Sequence, residues 1–387
     1  MGLFKRKQFV IFPLGKIAMY GFNLLPFVYY YVSKNCKFTV LILDHPFFEK
    51  RVKYGVINRP LLGIIKRSFD DNNIKYTNNV ILIFLLMALS KIGIINIRKK
   101  SDARDDDEFY LNNSQTLSIM PQYLTCNQAF NRKKPFCTLS TKENKKGLDI
   151  LLSNGVDISK NIVTFHVRDN LYHSDQNLDF RDSSVNELIP ALDCLCKKNY
   201  SSFRMGSIQK STQELNLPNS VINYTEEFRS EFMDIYLIEK SAFFIGSTSG
   251  LWGIPYLFNT PQVNINHIPF HDATLGENDI WLPKKLWLVD KKRYMNFREI
   301  LSIPRAQMLQ GDFYINNRIE VIDNTSDEIL EAVLEMLDKI DGKLSYTAED
   351  DYYWSKLKNM YSKDSPAKYS LSRISKSFLK KYSNLLV

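Results

Sequence analysis

Short apolar runs alternate with helical stretches over most of the second half of the chain, and one such unit is especially clear. An apolar run at 242–245 ends in a turn of small residues, Gly-Ser-Thr-Ser-Gly at 246–250. A stretch with helical spacing follows at 251–258, and a second apolar run occupies 263–265. A strand, a tight turn, a helix and a second strand form one βαβ unit, so the pattern predicts parallel strands here.

The same alternation extends to both sides of this unit. In the second half of the chain it predicts strands and helices in turn, at 162–166, 187–198, 202–205 and 228–239. In the first half it predicts a strand at 8–12, a Pro-Leu-Gly-Lys turn at 13–16, a helix at 17–33 and a strand at 38–43. Repeated alternation of this kind favours parallel sheets covered by helices. The predicted fold is therefore α/β, with two Rossmann-like domains whose parallel sheets face a cleft between them.

The chain length of 387 residues predicts about two domains. We place the N-terminal domain at 1–157 and the C-terminal domain at 158–365. Near the end of the second domain, Thr325-Ser-Asp-Glu328 is a capping box that predicts the start of an amphipathic helix. The segment 366–387 is expected to be a basic amphipathic helix that packs back on the N-terminal domain, because it carries an apolar stripe of Ile374, Phe378, Tyr382 and Leu385.

The composition, with 44% hydrophobic and 24% charged residues, is that of an ordinary globular protein. The net charge of +9 is divided among short clusters such as Lys284-Lys285, which are typical of solvated faces. An anionic substrate or an anionic lipid surface would also account for it. Nucleic acid ranks last, because the sequence has no zinc finger, no RNA-binding aromatic signature and no repeat.

The sequence favours a cytoplasmic location. Its five cysteines are odd in number and lack the spacing of a disulfide framework, which indicates a reducing compartment. The most apolar stretch, 80–89, is too short at about 1.5 Å per residue for a ~30 Å membrane core, and it predicts a buried core element. The apolar segment at 9–14 is too short for a signal peptide. Peripheral attachment to the inner face of the plasma membrane stays open.

The small turn after the run at 242–245 lies where open α/β sheets bind ligands, at the carboxyl end of a strand. Gly246 and Gly250 would let a phosphate approach the backbone, and Ser247, Thr248 and Ser249 add hydroxyl groups without bulk. Together with the N-terminus of the following helix, this predicts a cradle for an anion such as a diphosphate. An ordinary helix cap of hydroxyl residues has the same sequence, so both interpretations stay open.

Other polar residues stand at the ends of predicted strands or on the helix that leads into the turn. Arg168 follows the strand at 162–166 and could pair with a phosphate through two hydrogen bonds. Arg204 and Gly206 occupy the next strand end. Arg229 and Asp234 belong to the helix before the turn, where Asp234 could accept hydrogen bonds from a ribose or base or pair with a basic neighbour.

Several common catalytic motifs are absent from the sequence. It contains no P-loop, no His-Glu-x-x-His, no Gly-x-Ser-x-Gly and no dinucleotide fingerprint. The aspartate run at 105–107 could hold a divalent cation, but a solvated loop is the favoured interpretation. No metal site is expected.

The order of these motifs resembles a family of bacterial glycosyltransferases associated with surface-polysaccharide gene clusters for lipopolysaccharide and capsule. The similarity is best over 140–387 and extends only loosely to the N-terminal part. It rests on the segments 147–169, 204–206, 229–237, 243–251, 324–329, 335–336 and 373–379, with Arg181 and Tyr224. The strand end His166-Val-Arg168 and the later hydroxyl turn are also similar to the donor site of fucosyltransferase-like enzymes with the GT-B fold. An aspartate expected before Tyr224 is Asn223 here, which puts a catalytic or nucleoside-binding role at that position in doubt.

The resemblance implies a GT-B-like fold and transfer of a sugar from a nucleotide-sugar donor to a glycan or lipid-linked acceptor. The reaction is expected to need no metal and no cofactor besides the donor substrate. Carried over to this sequence, the resemblance makes Arg168 and the hydroxyls at 247–249 contacts of the donor phosphate. Gly15 and Lys16 are expected on the acceptor side of the cleft.

A base that removes the proton of the acceptor hydroxyl is expected among Asp169, His173 and Glu226. Asp169 is the first choice because it shares a strand-end loop with Arg168, and His166 is expected to face the core or orient this loop. Two other functions stay open. A nucleotide-sugar epimerase or hydrolase of the same architecture would convert the donor without an acceptor, and a non-catalytic nucleotide- or carbohydrate-binding protein would bind without turnover.

Overall fold

The computed structural model describes residues 8–12, 38–42, 58–91, 96–99, 133–168, 176–206, 217–218, 220–274, 276–362 and 365–387. The sequence predictions that lie outside these residues concern the helix at 17–33, the aspartate run at 105–107, Gly15, Lys16, Asp169 and His173.

The first half of the chain contains a four-stranded parallel sheet. Its strands are β1 (Gln8–Phe12), β2 (Phe38–Ile42), β3 (Lys75–Thr77) and β4 (Asn96–Lys99), and their order is β3-β2-β1-β4. Among the residues of this half that the structure describes, two helices accompany them, α1 (Arg59–Asp71) and α2 (Val80–Lys91). Helix α1 begins where the side chain of Asn58 accepts a hydrogen bond from the Leu61 backbone N–H at 2.9 Å, which caps its first turn.

Helix α2 differs from the buried core element that was predicted at 80–89. Ile83 and Leu86 are buried, whereas Ile81, Phe84 and Leu85 are 81%, 40% and 56% exposed. The segment is apolar on all sides, so its periodicity could not show which positions face the core. Among the described residues, no helix is both long and apolar enough to cross a membrane.

The second half contains a larger sheet and a small one. The strands in chain order are β5 (Asn161–His166), β6 (Tyr200–Arg204), β7 (Val221–Ile222), β8 (Ser241–Gly246), β9 (Gln262–His267), β10 (Ile280–Pro283), β11 (Lys285–Leu288), β12 (Arg293–Tyr294), β13 (Ile319–Ile322) and β14 (Arg373–Ile374). The seven-stranded sheet has the order β14-β10-β9-β8-β5-β6-β7, and every neighbouring pair is parallel. Strands β12, β11 and β13 form a three-stranded antiparallel sheet.

Helices precede β5, follow β14 and connect several of the strands between them. They are α3 (Thr141–Ser153), α4 (Ile189–Lys197), α5 (Tyr224–Glu227), α6 (Glu231–Lys240), α7 (Pro255–Phe258), α8 (Phe297–Ser302), α9 (Arg305–Met308), α10 (Gly311–Asn316), α11 (Ser326–Ile340), α12 (Ala348–Met360) and α13 (Lys376–Lys381). The prediction of an α/β fold with parallel sheets is confirmed by this arrangement.

The core lies on both faces of the seven-stranded sheet, because alternate strand residues point to opposite sides. On one face, fully buried side chains such as Val163, Ile245 and Val263 pack beneath α4 and α11. Burial of each such side chain contributes roughly 1.5–3 kcal/mol. On the other face, α6 packs on β5 and β8 and contacts α1 and α3. Helices from both halves therefore cover the sheet and leave the carboxyl ends of its strands at one edge.

The capping box at the start of α11 is confirmed. The Thr325 hydroxyl accepts a hydrogen bond from the Glu328 backbone N–H at 3.3 Å, and the Glu328 carboxylate accepts one from the Thr325 N–H at 3.1 Å. The predicted helix at 251–258 is shorter than expected, because it divides into a 3₁₀ turn, Leu251–Gly253, and the single turn α7.

The C-terminal segment also differs from the single helix that was predicted over 366–387. Arg373–Ile374 forms strand β14 beside β10, and α13 covers only Lys376–Lys381. Helix α13 contacts α11 and α12, which belong to the predicted C-terminal domain. The expected packing on the N-terminal domain stays a prediction. The apolar stripe predicted one continuous helix, but its first residue, Ile374, pairs with Trp281 in the sheet and is not a helix residue.

Candidate functional site

The candidate site lies at the carboxyl edge of the seven-stranded sheet. Parallel pairing places His166 of β5 opposite Gly246 of β8, and Phe165 of β5 opposite Arg204 of β6. The three segments that follow these strand ends therefore lie side by side. They include the predicted residues Arg168, Arg204, Gly206, Ser247, Thr248 and Ser249.

Hydrogen bonds lock the small turn to its neighbours. The Ser247 backbone N–H donates to the His166 carbonyl at 3.2 Å, and the Arg168 N–H donates to the Ser247 hydroxyl at 2.9 Å. The Thr248 hydroxyl accepts from the Ile268 N–H at 3.4 Å. The Ser249 hydroxyl is buried and has no hydrogen-bond partner. Two of the three predicted hydroxyl groups thus accept hydrogen bonds within the protein, and the Ser249 hydroxyl is the one without a partner.

Two glycines near this turn lie so close to neighbouring atoms that a side chain would clash. A Cβ atom on Gly246 would lie 2.3 Å from the Phe244 ring and 3.3 Å from the His166 carbonyl oxygen. Gly206 has a φ of +120°, and a Cβ there would lie 2.9 Å from His166 Nδ1. Gly250 is exposed and begins a 3₁₀ turn without a side-chain cap. The helix N-terminus that was predicted after Ser249 is therefore a short 3₁₀ turn.

Cationic side chains converge on the same edge. The Arg168 Nε donates to Asp182 Oδ1 at 2.9 Å, and the Arg181 Nη2 donates to the Thr248 carbonyl at 3.1 Å. The Lys284 ammonium contacts the Asp182 carbonyl at 2.6 Å and Asp323 Oδ1 at 2.7 Å. The three cations surround the loop at 181–183 and the turn that follows β8.

Partial burial and the nearness of like charges shift the pKa values of this cluster. Burial, with a smaller effect of the neighbouring Arg168 charge, lowers the pKa of Arg181 to about 10. Burial also lowers the pKa of Lys284, against the opposing effect of Asp323. Burial raises the pKa of Asp182, although the Arg168 charge acts in the other direction. Burial thus disfavours the charged form of all three groups.

A second ion pair stands beside this cluster, after β9. Arg305 binds Asp272 through two hydrogen bonds of 2.7 Å, and His267 contacts the Asp272 carbonyl. Burial lowers the pKa of His267 to about 4, so this imidazole is neutral at physiological pH.

The remaining predicted residues have other surroundings. Asp234 is buried, with one carboxylate oxygen 3.0 Å from the Tyr224 hydroxyl and the other 3.0 Å from Arg229 Nη2. Of the two interpretations of Asp234, pairing with a basic neighbour is what the structure contains. His166 Nδ1 lies 3.1 Å from the Met205 carbonyl, so this imidazole links two strand-end loops as expected. Glu226 is an exposed residue of α5.

Sequence reasoning missed Lys284, Asp182 and Arg305 as part of this edge. Lys284 was assigned to a solvated cluster, but only 5% of it is exposed. The signal that could have identified it is the apolar run Ile-Trp-Leu-Pro at 280–283, because a lysine directly after a buried strand lies at the carboxyl edge. No group of three or more His, Cys, Asp or Glu side chains suited to a metal occurs within the described ranges.

Comparison with known protein families and with curated proteins finds no match. Among solved structures, the chain is similar to the ADP-heptose lipopolysaccharide heptosyltransferase II of E. coli, with 12% identity, a TM-score of 0.46, and coverage of 87% of this chain and 99% of that one. It is also similar to the iron-containing dodecameric glycosyltransferase TibC of enterotoxigenic E. coli, with 10% identity, a TM-score of 0.41, and coverage of 89% and 78%. A glycosyl transferase family 9 protein from Veillonella parvula has 10% identity, a TM-score of 0.38, and coverage of 68% and 81%.

Proposed function

We propose that the protein is a glycosyltransferase that moves a sugar from a nucleotide-sugar donor to a glycan or lipid-linked acceptor in surface-polysaccharide biosynthesis. The observation that supports this proposal is a cluster of three cations at the carboxyl edge of a parallel sheet: Arg168 and Lys284 bind Asp182, and Arg181 binds the buried hydroxyl turn. Parallel α/β sheets bind their ligands at this edge. The cations suit the diphosphate of the donor, and we expect the reaction to take place in the cytoplasm, at the inner face of the membrane for a lipid-linked acceptor.

The chemistry proposed for this edge is stabilisation of the leaving group. When the bond between the sugar and the donor phosphate breaks, negative charge develops on the departing phosphate oxygen. Fixed cations and hydrogen-bond donors aimed at that oxygen lower the barrier, because they need no reorganisation during the reaction. Asp169 remains our proposal for the base that accepts the proton of the acceptor hydroxyl, and metal-independence remains a prediction.

The proposal is tested by titrating the protein with ADP-, GDP-, UDP-, CMP- and dTDP-sugars and then assaying sugar transfer. A donor at 100 times its Kd adds about 2.7 kcal/mol to the free energy of unfolding, which a thermal melt detects. We expect one nucleotide class to raise the melting temperature of the wild type and of the control Arg318→Gln, an exposed arginine paired with Asp290. The double variant Arg168→Gln with Arg181→Gln should lose this response.

Transfer is then followed with the identified donor and a pool of glycan and lipid-linked acceptors. Acceptor-dependent release of the nucleotide with a sugar-bearing product supports the proposal. Isomerised or hydrolysed donor formed without an acceptor would show an epimerase or hydrolase instead, and donor binding without any turnover would show a binding protein.

A further inference from the structure

Most cations at the carboxyl edge have a carboxylate of their own. Arg168 is paired with Asp182, Lys284 with Asp323, and Arg305 with Asp272, at distances of 2.9, 2.7 and 2.7 Å. The Arg168–Asp182 pair is also well enclosed, because the two side chains are only 12% and 18% exposed. Each of these three cations therefore already has a carboxylate partner within the protein.

Arg181 is the exception. Within the described residues its guanidinium contacts no carboxylate, and its Nη2 donates to the Thr248 carbonyl at 3.1 Å. Its Nε is buried and has no hydrogen-bond partner. A buried guanidinium nitrogen without an acceptor is unfavourable, because folding removes its hydrogen bond to water and no protein acceptor replaces it.

Ser249 provides a second unmatched group beside Arg181. The residue is 8% exposed, and its hydroxyl has no partner. It directly follows Thr248, whose carbonyl holds the Arg181 guanidinium. The turn after β8 therefore carries one buried donor without an acceptor, Ser249 Oγ, and the arginine that binds this turn carries another, Arg181 Nε.

We infer that Arg181 and Ser249 are the residues that bind the phosphate of the donor, and that Arg168 is a positioning residue held in place by Asp182. This inference rests on the proposed function and changes the assignment of its principal contact, since the sequence pointed to Arg168. An anionic oxygen placed here accepts from the Arg181 Nε–H and from the Ser249 hydroxyl. The anion also gives Arg181 an ion-pair partner, as aspartates do for the other three cations.

A purely structural role is the alternative for Arg181, because its bond to the Thr248 carbonyl could serve only to fix the turn. The two roles differ in what happens at Nε. A structural arginine keeps the same surroundings at Nε whether or not an anion is present, whereas a binding arginine gains an acceptor there.

The first test titrates the wild-type protein with inorganic pyrophosphate as the probe. The side-chain Nε–H resonances of Arg181 and Arg168 are assigned by triple-resonance NMR on the wild-type protein and followed during titration. We expect the Arg181 resonance to move with pyrophosphate concentration and the Arg168 resonance, already bonded to Asp182, to move much less. This measurement needs no variant that binds, so it stands even if an Arg181 substitution unfolds the protein.

Calorimetric titration of variants provides the second readout. We expect Ser249→Ala to weaken pyrophosphate binding and Arg181→Gln to weaken it by about 10- to 100-fold, the effect of losing a hydrogen bond between charged groups. Arg168→Gln should change the affinity by less than about 10-fold, as expected for a residue that acts through others.

The outcomes separate this inference from the proposed function. If pyrophosphate binds, moves only the Arg168 resonance, and loses its affinity only in Arg168→Gln, the assignment to Arg181 and Ser249 is wrong and the proposed function stands. If pyrophosphate and the nucleotide-sugars all fail to bind the wild type, the proposed function is wrong and this inference fails with it.

Discussion

Glu328 ties the C-terminal segment to helix α11, and its removal should destabilise the protein strongly. Its side chain is 3% exposed. Its Oε1 accepts from Lys381 Nζ at 2.7 Å and from the Tyr382 hydroxyl at 2.6 Å, and its Oε2 accepts from Lys285 Nζ at 2.8 Å. Burial acts to raise the pKa of Glu328, but these hydrogen bonds outweigh it and hold the pKa at about 2.

The pKa gives the size of the effect. A shift from the ordinary 4.5 to about 2, at 1.36 kcal/mol per pH unit, corresponds to roughly 3 kcal/mol of stability from the charged form. Breaking a buried ion pair by removing one partner costs a similar ~3–5 kcal/mol, because the other charge stays buried. In Glu328→Gln that remaining charge is Lys285, whose side chain is 4% exposed. We therefore expect Glu328→Gln to lower the free energy of unfolding by about 3 kcal/mol near neutral pH.

The assay is urea unfolding of wild type and variant, followed by tryptophan fluorescence. Glu349→Gln is the matched control, because Glu349 pairs with Lys380 of the same C-terminal helix but the two side chains are 49% and 65% exposed. This exposed pair should contribute no more than about 1 kcal/mol.

The pH dependence provides a second check with a fixed sign. The folded-state pKa of Glu328 lies below its ordinary value, so its stabilisation is complete above pH 4.5 and is lost as the pH falls toward about 2. The difference between wild type and Glu328→Gln should shrink over this range. Equal stabilities near neutral pH, or a difference that does not change on acidification, would refute the reasoning.

Three further substitutions test other parts of the structure. Gly206→Ala forces a φ of +120° on alanine and places its Cβ 2.9 Å from His166 Nδ1, so it should lower the free energy of unfolding by about 1–3 kcal/mol in thermal melts. The control Gly63→Ala has open space around its Cβ and should not lower it. Equal melting temperatures for the two variants would contradict this prediction. Lys284→Met should weaken nucleotide-sugar binding about 10-fold by calorimetry through loss of a buried cation, and an unchanged Kd would exclude Lys284 from the site. Asp234→Asn should cost about 1–3 kcal/mol in chemical unfolding because it disrupts bonds to Tyr224 and Arg229, and an unaltered midpoint would show that these bonds contribute nothing.

The sequence predicted the parts of the fold that depend on local pattern. The capping box before α11 and the apolar run of β8 each contain their signal within a few residues, so the helix start and the strand were found correctly. The strand-end position of Arg168 followed from the same logic, because parallel strands bring their carboxyl ends to one edge.

The sequence could not predict which charges pair, because pairing depends on contacts between distant segments. Arg168 and Asp182 are separated by 14 positions in the sequence, and Lys284 meets Asp323 from a different strand end. Burial could not be inferred for Lys284 either, since a lysine pair resembles a solvated face until its tertiary neighbours are known. The strand at 373–374 was missed for a similar reason, because its partner β10 lies far away in the sequence.

The place of β14 in the sheet has a consequence for how the protein is made. Strand β10 is synthesised long before residues 373–374, so one side of β10 has no neighbouring strand until that late segment arrives. An unpaired strand edge invites pairing with other chains. The growing polypeptide therefore passes through a stage in which the β10 edge, with its large apolar Trp281, is open to aggregation. Slow translation of the segment between β10 and β14 would lengthen this stage, and chaperones that cover strand edges would be needed most at that time.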